Sequence, residues 1–344
     1  MEVQVDKMVS SILREISIKP SDASIELAFE NGFLPYMIER YLRMLGKNGA
    51  IKLLDSFKQS VKPVIRVNTR LVDPEKIEKA LIEKGFVLER IPWYHGAFRV
   101  LDAPEKPSLG ATFEYLKGYY YLHRDSSSLV PVILLTHEYQ GNVLDACAAP
   151  GGKATFLAER IGDHGVVFAN DLVLRRLKSL IGHVARMRLE NVFIMWSDAR
   201  KLPGKLTRKF ERILLDAPCS GEGRISVDPG RRNRTSMYEL ALLVKREIEL
   251  LDSLIKLLEN DGIIAYSTCS IAPEENEYVL SKILQARSDI EIIPPPVTLF
   301  NYSPWITRFG DIEFPKEFEK CIRLWPHIHG TFGFTTCLLR KTRR

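Results

Sequence analysis

Residues 142–153 read NVLDACAAPGGK, and that stretch decides the fold. Val143 and Leu144 followed by Asp145 have the texture of a short strand, buried on both faces and ending in an acid. Small residues and the adjacent Gly151 and Gly152 make a turn, and KATFLAERI opens a helix at Lys153. Paired glycines let backbone approach a ligand closely, and a helix start offers unpaired N–H groups. Downstream the rhythm repeats. Strands are predicted at 165–171 (GVVFAND), 191–198 (NVFIMWSD), 210–217 (FERILLDA) and 262–269 (GIIAYSTC), with helices at 174–189, 236–259 and 274–287. Apolar strands alternating with helices predict an α/β fold, a mostly parallel, doubly wound, Rossmann-like sheet. Residues 332–340 (FGFTTCLLR) read as a last strand able to take an antiparallel position.

Upstream the texture differs. Ser21 and Asp22 offer N-cap oxygens, Glu30-Asn31-Gly32 closes a helix, and PYMIERYLRML stops at Gly46. Residues 64–70, 86–91 and 97–101 read as strands and 73–84 as a helix, before a loop marked by Pro104, Pro107 and Gly110. The expected division is a helical arm at 1–62, a small α/β appendage with its linker at 63–118, and the larger α/β domain at 119–344. Hydrophobic residues at 45% and charged residues at 27% suit an ordinary globular chain. No apolar run reaches the roughly 18 residues of a membrane span. The start, MEVQVDKMVSS, has no apolar signal core, so a cytoplasmic protein is expected. The five cysteines, Cys147, Cys219, Cys269, Cys321 and Cys337, are sparse and lack a CxxC pair. Reduced thiols are therefore expected, with neither a disulfide framework nor a metal site.

Ligands of open α/β sheets bind at the carboxyl ends of the strands. Four predicted strand ends carry acids: Asp145, Asp171, Asp198 and Asp216. The turn after Asp145 can hold a carboxylate on its N–H groups. Asp171 is placed for two ribose hydroxyls and Asp198 for an adenine amino group. Neither the dinucleotide pattern GxGxxG nor the phosphate-loop pattern GxxxxGK[ST] occurs at the turn. The expected cofactor is S-adenosylmethionine.

Two cysteines also fall at strand ends, in DAPCSG (216–221) and STCS (267–270). A thiolate beside a sulfonium methyl donor suits carbon 5 of a pyrimidine, which is too weak a nucleophile unaided. Thiolate attack at carbon 6 makes carbon 5 an enamine carbon, and a carboxyl group near N3 stabilises the charge that develops. On these grounds alone either Cys219 or Cys269 could attack.

At these residues the chain resembles the Sun/Nop family of RNA cytosine-C5 methyltransferases. CAAPGGK (147–153), DAPCSG and STCS match three of its motifs, and Arg66-Val67-Asn68-Thr69-Arg70 and Trp325-Pro326-His327 to Gly333-Phe334 match two more. The resemblance implies that Cys269 is the nucleophile and that Cys219 assists release of the methylated RNA. It also implies roles for Asp216 and Lys153 in catalysis. Cofactor contacts are implied from Cys147, Ala148, Ala149, Pro150, Gly151, Gly152, Lys153, Asp171, Arg176, Asp198 and Asp216. Family members often have Arg where this chain has Trp325, and Asp125-Ser126-Ser127-Ser128 resembles a linker motif that orders the domain junction.

The expected partner is RNA, with transfer RNA placed first and ribosomal RNA second, and no protein partner or membrane is implied. The net charge of +6 permits a phosphate-bearing partner. Arg224, Arg231, Arg232 and Arg234, the terminal RKTRR, and Arg66, Arg70, Tyr94 and Phe98 of the appendage are candidate RNA contacts. Three rival readings differ in what they need. A DNA cytosine-5 methyltransferase would use Cys219, an amino-group methyltransferase would need neither cysteine, and a non-catalytic RNA-binding or ribosome-assembly protein would need no reactive pair.

Overall fold

In a computed structural model, which describes residues 6–309 and 312–343, the chain begins with helices Lys7–Ile16, Asp22–Asn31 and Pro35–Ser56. Residues 1–5 of the arm, and Arg344 of the terminal basic run, lie outside the described residues. Ser21 caps the second helix, its Oγ accepting from Ser24 N at 3.3 Å, and Gly32 ends it with φ 71°. Gly46 was expected to end the third. It kinks the backbone at φ 65°, ψ 175°, yet helical turns resume to Ser56 because Ala50, Leu53 and Leu54 carry the apolar face on into the core.

The appendage is an antiparallel sheet of β1 (Val64–Val67), β2 (Val87–Arg90), β3 (Ala97–Asp102) and β4 (Tyr120–His123), in the order β2-β3-β1-β4. Helix Pro74–Ile82 packs Ile77 and Leu81 onto it. Residues 120–123, assigned from sequence to the larger unit, pair with β1 from Val64–His123 to Val67–Tyr120. The sheet thus runs past the expected boundary at 119.

Five parallel strands follow: β5 (Val143–Asp145), β6 (Val167–Asp171), β7 (Val192–Trp196), β8 (Phe210–Asp216) and β9 (Leu258–Thr268), ordered β7-β6-β5-β8-β9. The order reverses between β5 and β8, and a crevice opens there. The remaining strands are β10 (Ile290–Ile293), β11 (Ser303–Pro304), the hairpin β12 (Arg308–Phe309) and β13 (Ile312–Glu313), β14 (Ile322–Leu324) and β15 (Phe334–Lys341). β15 lies antiparallel to β9, as expected, and its other edge is shared by β14 and β10. Sequence reading did not anticipate those two short edge strands.

One expectation about cysteines is overturned: Cys321 and Cys337 form a disulfide. Ile322 opposes Thr336 in the β14–β15 register, so the two cysteines face each other across the ladder with Cα atoms 4.5 Å apart. Cys147, Cys219 and Cys269 are free thiols. Among the described residues no cluster could hold a metal ion, and no helix is long and apolar enough to cross a membrane.

The appendage is clamped to the sheet by residues that had been candidates for RNA contact. Arg66 is fully buried. It donates to Thr155 Oγ1 (2.8 Å) and His123 Nε2 (3.1 Å) and pairs with Glu159. Phe98 is core, Tyr94 packs edge-on against Phe156, and Arg70 pairs with Asp163. Burial and internal pairing therefore remove Arg66 and Phe98 from any RNA surface.

Candidate active site

The Cys147–Lys153 turn is laced to β6. Ala148 N donates to Asn170 O at 2.7 Å and Ala149 N to Asp171 Oδ2 at 3.1 Å. Gly151 has φ 118°, and a Cβ there would stand 3.0 Å from Leu180 Cδ1, so only glycine makes the turn. Arg176 crosses the crevice to donate to Ala149 O and lies 3.4 Å from Asp171 Oδ2. Asp198 accepts from its own downstream neighbour: Arg200 N is 3.0 Å from Oδ1 and the guanidinium 2.7 Å from Oδ2.

Around this turn lies a cavity of ≈ 700 Å³ lined by Cys147, Ala149, Pro150, Asp171, Arg176 and Asp198. Gly152 lines the adjoining smaller cavity instead, and Gly151 lines neither. The buried Oδ1 of Asn170, which lines the larger cavity, has no protein partner. Acids, backbone N–H groups and an unsatisfied acceptor suit a molecule with an ammonium group, a ribose diol and a carboxylate, so the residues fit S-adenosylmethionine.

A smaller cavity of ≈ 270 Å³ adjoins it, lined by Asp125, Asp145, Phe332 and Phe334. Lys153, Asp216, Arg224 and Cys269 border both. Asp216 ends β8 opposite Ser267 of β9, and it accepts from Ser267 Oγ (3.2 Å) and Lys153 Nζ (2.7 Å). Beyond these strands the chain brings Cys219 Sγ to 3.3 Å from Cys269 Sγ.

The two thiols are not equivalent. Cys269 is lowered by the hydrogen bond from Cys219, against the cost of burial and the charge of Asp216, with Arg224 and Lys153 assisting. Cys219 is raised by the same bond, by burial and by Glu275 and Glu247 behind it. Arg224 and Lys153 lie on the Cys269 side together with Asp216, and Glu275 and Glu247 on the Cys219 side, so of the two thiols Cys269 is the more readily ionised. Cys147 is raised by burial and by Asp145 and Asp171, which keeps it neutral. Lys153 stays above its ordinary value, because the charge of Asp216 outweighs burial. Asp145 is fully buried with both oxygens unpartnered, and burial with Asp216 nearby pushes it up to about 8.

Sequence reasoning missed what lies behind Cys219. Glu275 accepts from Ser220 N and Ser220 Oγ, each at 2.6 Å, and fixes the loop that carries Cys219. Glu247 is fully buried there too, with neither oxygen hydrogen-bonded, and burial together with Glu275 pushes it well above the ordinary carboxyl value. Glu222, next along the loop, takes Arg40 Nη1 at 2.5 Å and Tyr41 Oη at 2.7 Å, and Arg40 also reaches Glu274 at 3.1 Å. The helical arm therefore braces the reactive loop. The one visible signal was the charged pair Glu39-Arg40 inside an apolar helix. Of the arginine cluster, Arg231 donates to Ser220 O and pairs with Asp228, and Arg232 sits over Phe33. Arg234, also paired with Asp228, is the exposed one. Gly223 N donates to Cys269 O (3.0 Å) while its carbonyl accepts from Gly333 N (2.9 Å), and a Cβ would lie 2.0 Å from Gly333 O. Asp125 ties the linker to the same segment by accepting from Phe332 N at 2.8 Å.

Comparison with known proteins matches residues 132–340 to the family described as 16S rRNA methyltransferase RsmB/F, and residues 34–123 to the N-terminal domain of 16S rRNA methyltransferase RsmF. A human 28S rRNA (cytosine(4447)-C(5))-methyltransferase is 31% identical over 92% of this chain and 39% of its own length. The ribosomal RNA small subunit methyltransferase F of Psychromonas ingrahamii is 32% identical over 83% of this chain and 58% of its own. The chain thus spans about two fifths to three fifths of such relatives. A crystal structure of a methyltransferase homolog protein from Pyrococcus horikoshii superposes with a TM-score of 0.82 at 31% identity, covering 93% of this chain and 99% of that one.

Proposed function

Since the chain belongs to the 16S rRNA methyltransferase RsmB/F family, we propose that it methylates carbon 5 of an RNA cytosine through a covalent bond from Cys269 to carbon 6. The observation that carries this reading is the Cys219–Cys269 contact at 3.3 Å, with Lys153 and Asp216 at the same junction of two cavities. The target base must leave its stack to enter the ≈ 270 Å³ cavity. There the Cys269 thiolate adds to carbon 6, and Asp216, held by Lys153, faces the ring edge where charge develops. Asp171, Arg176 and Asp198 with the Cys147–Pro150 turn would hold S-adenosylmethionine, which when bound would supply an electrophilic methyl group. Loss of the carbon 5 proton to water then expels Cys269 as a thiolate, with the Cys219 thiol hydrogen-bonding the departing sulfur.

Ribosomal RNA is the substrate class favoured here, because relatives of several lineages carry that substrate in their names. Transfer RNA, placed first on sequence, has no such support. The test uses labelled cofactor with total RNA. Cys219→Ala should accumulate a denaturant-resistant protein–RNA adduct and Cys269→Ala should form none. An adduct on Cys269→Ala would transfer the role to Cys219 and return the DNA-enzyme reading to contention.

A further inference from the structure

Two chain segments separate the small cavity beside Cys269 from a second one, of ≈ 300 Å³, at the seam between appendage and catalytic unit. Asp125, Ser127 and Phe332 line the first; their immediate neighbours Ser126 and Thr331 line the second. Neighbouring residues of the same two segments thus line different cavities. In the second stand Trp93 of the appendage and Phe300 of the catalytic unit, both half-buried, with ring centroids 5.1 Å apart and planes inclined at 42°. The two rings are in tilted contact with each other, and both line the cavity. Arg99, ion-paired with Glu89, and the exposed Asn301 complete the rim. Aromatic faces, a cation at the edge and short hydroxyl and amide groups form the surface on which unpaired bases stack and are held by their edges.

We propose that this cavity holds an unpaired nucleotide flanking the target cytosine, stacked on Trp93 and Phe300, with Arg99 toward its phosphate. The proposal rests on the RNA-methyltransferase reading above. It gives the appendage a direct part in choosing the site, through Trp93 and Arg99 rather than through the buried Arg66 and Phe98. It also ties the pocket to the seam, since Trp93 and Phe300 come from different units that the Arg66–Thr155 contact joins.

The cytosine methylated in total RNA is first mapped by bisulfite sequencing, and short oligoribonucleotides centred on it are then assayed with intact enzyme. An abasic residue at one flanking position should raise KM for the wild-type enzyme by about 5- to 100-fold, the range stacking of one base supports, with kcat within twofold. Trp93→Ala should raise KM for the unmodified oligonucleotide equally, combining the two should add little, and Trp93→Phe should recover most of the loss. Equal rates on all oligonucleotides, or fully additive losses, would overturn the nucleotide pocket while leaving the methyltransferase reading intact. No labelled cytosine in total RNA would overturn both. The abasic series uses unmodified protein, so a misfolded variant cannot decide the outcome.

Discussion

Lys153 Nζ lies 2.7 Å from Asp216 Oδ2, and both side chains border the two cavities that meet at Cys269. The pair places opposite charges beside one thiolate. Lys153 favours the anion and Asp216 opposes it.

Removing them should therefore move Cys269 in opposite directions. Lys153→Met shifts iodoacetamide alkylation of Cys269 to higher pH, and Asp216→Asn shifts it to lower pH. Both lose catalysis, because charge at the transition state goes unmet; a kcat loss of roughly 10²- to 10³-fold is expected for each. Alkylation profiles that move together would refute the arrangement.

Arg40→Met leaves Glu222 and Glu274 buried with no cation between them. Glu274 is pushed up to about 7 by burial even with Arg40 in place. Breaking a buried pair from one side costs about 3–5 kcal/mol, so the urea midpoint should fall accordingly. A change below about 1 kcal/mol, the scale of a surface pair, would show that the arm is loosely held.

Glu247 is raised well above its ordinary 4.5 by burial and by Glu275. Its native form is neutral while the unfolded chain ionises above that value. Its contribution to stability is therefore full below about 4.5 and declines as pH rises toward the native value. Glu247→Gln keeps the side chain's shape and does not ionise. The difference between variant and wild-type melting temperatures should be small in acid and grow in the variant's favour toward alkaline pH; a flat difference would show that Glu247 titrates alike in the folded and unfolded chain.

Cys321 and Cys337 close a loop across a sequence separation of 16 residues. A bridge over such a loop contributes about 3 kcal/mol by restricting the unfolded chain. Reductant, or Cys321→Ala, should lower the melting temperature without changing Cys219–Cys269 reactivity. Intact-mass analysis under non-reducing conditions, before and after alkylation, counts the free thiols; five would remove the bridge.

The parts legible in sequence are those that short-range pattern controls. Asp145, Asp171 and Asp216 sit at ends of parallel strands because apolar runs broken by turns announce both the strands and their ends. DAPCSG and STCS could be placed at one crevice for the same reason. What stayed hidden depends on pairing distant in the chain. β14 and β10 are three and four residues long and exist by virtue of β15, and the disulfide follows from that register. Arg66 looked like an RNA contact because an arginine in a strand gives no hint that Glu159 and Thr155 will enclose it. Arg40 and the acids beneath Cys219 were hidden likewise, since mutual burial of opposite charges is a property of the folded interior alone.

The bracing of the Cys219 loop by Arg40 separates two kinds of failure. Cys269 is rooted in the central sheet, whereas its companion sulfur takes its position from a distant helix. Damage to the sheet abolishes chemistry outright. On the roles proposed for the two thiols, loosening the helix leaves the adduct free to form but slow to break down, so injuries to the arm should register as a tethered RNA instead of a silent protein.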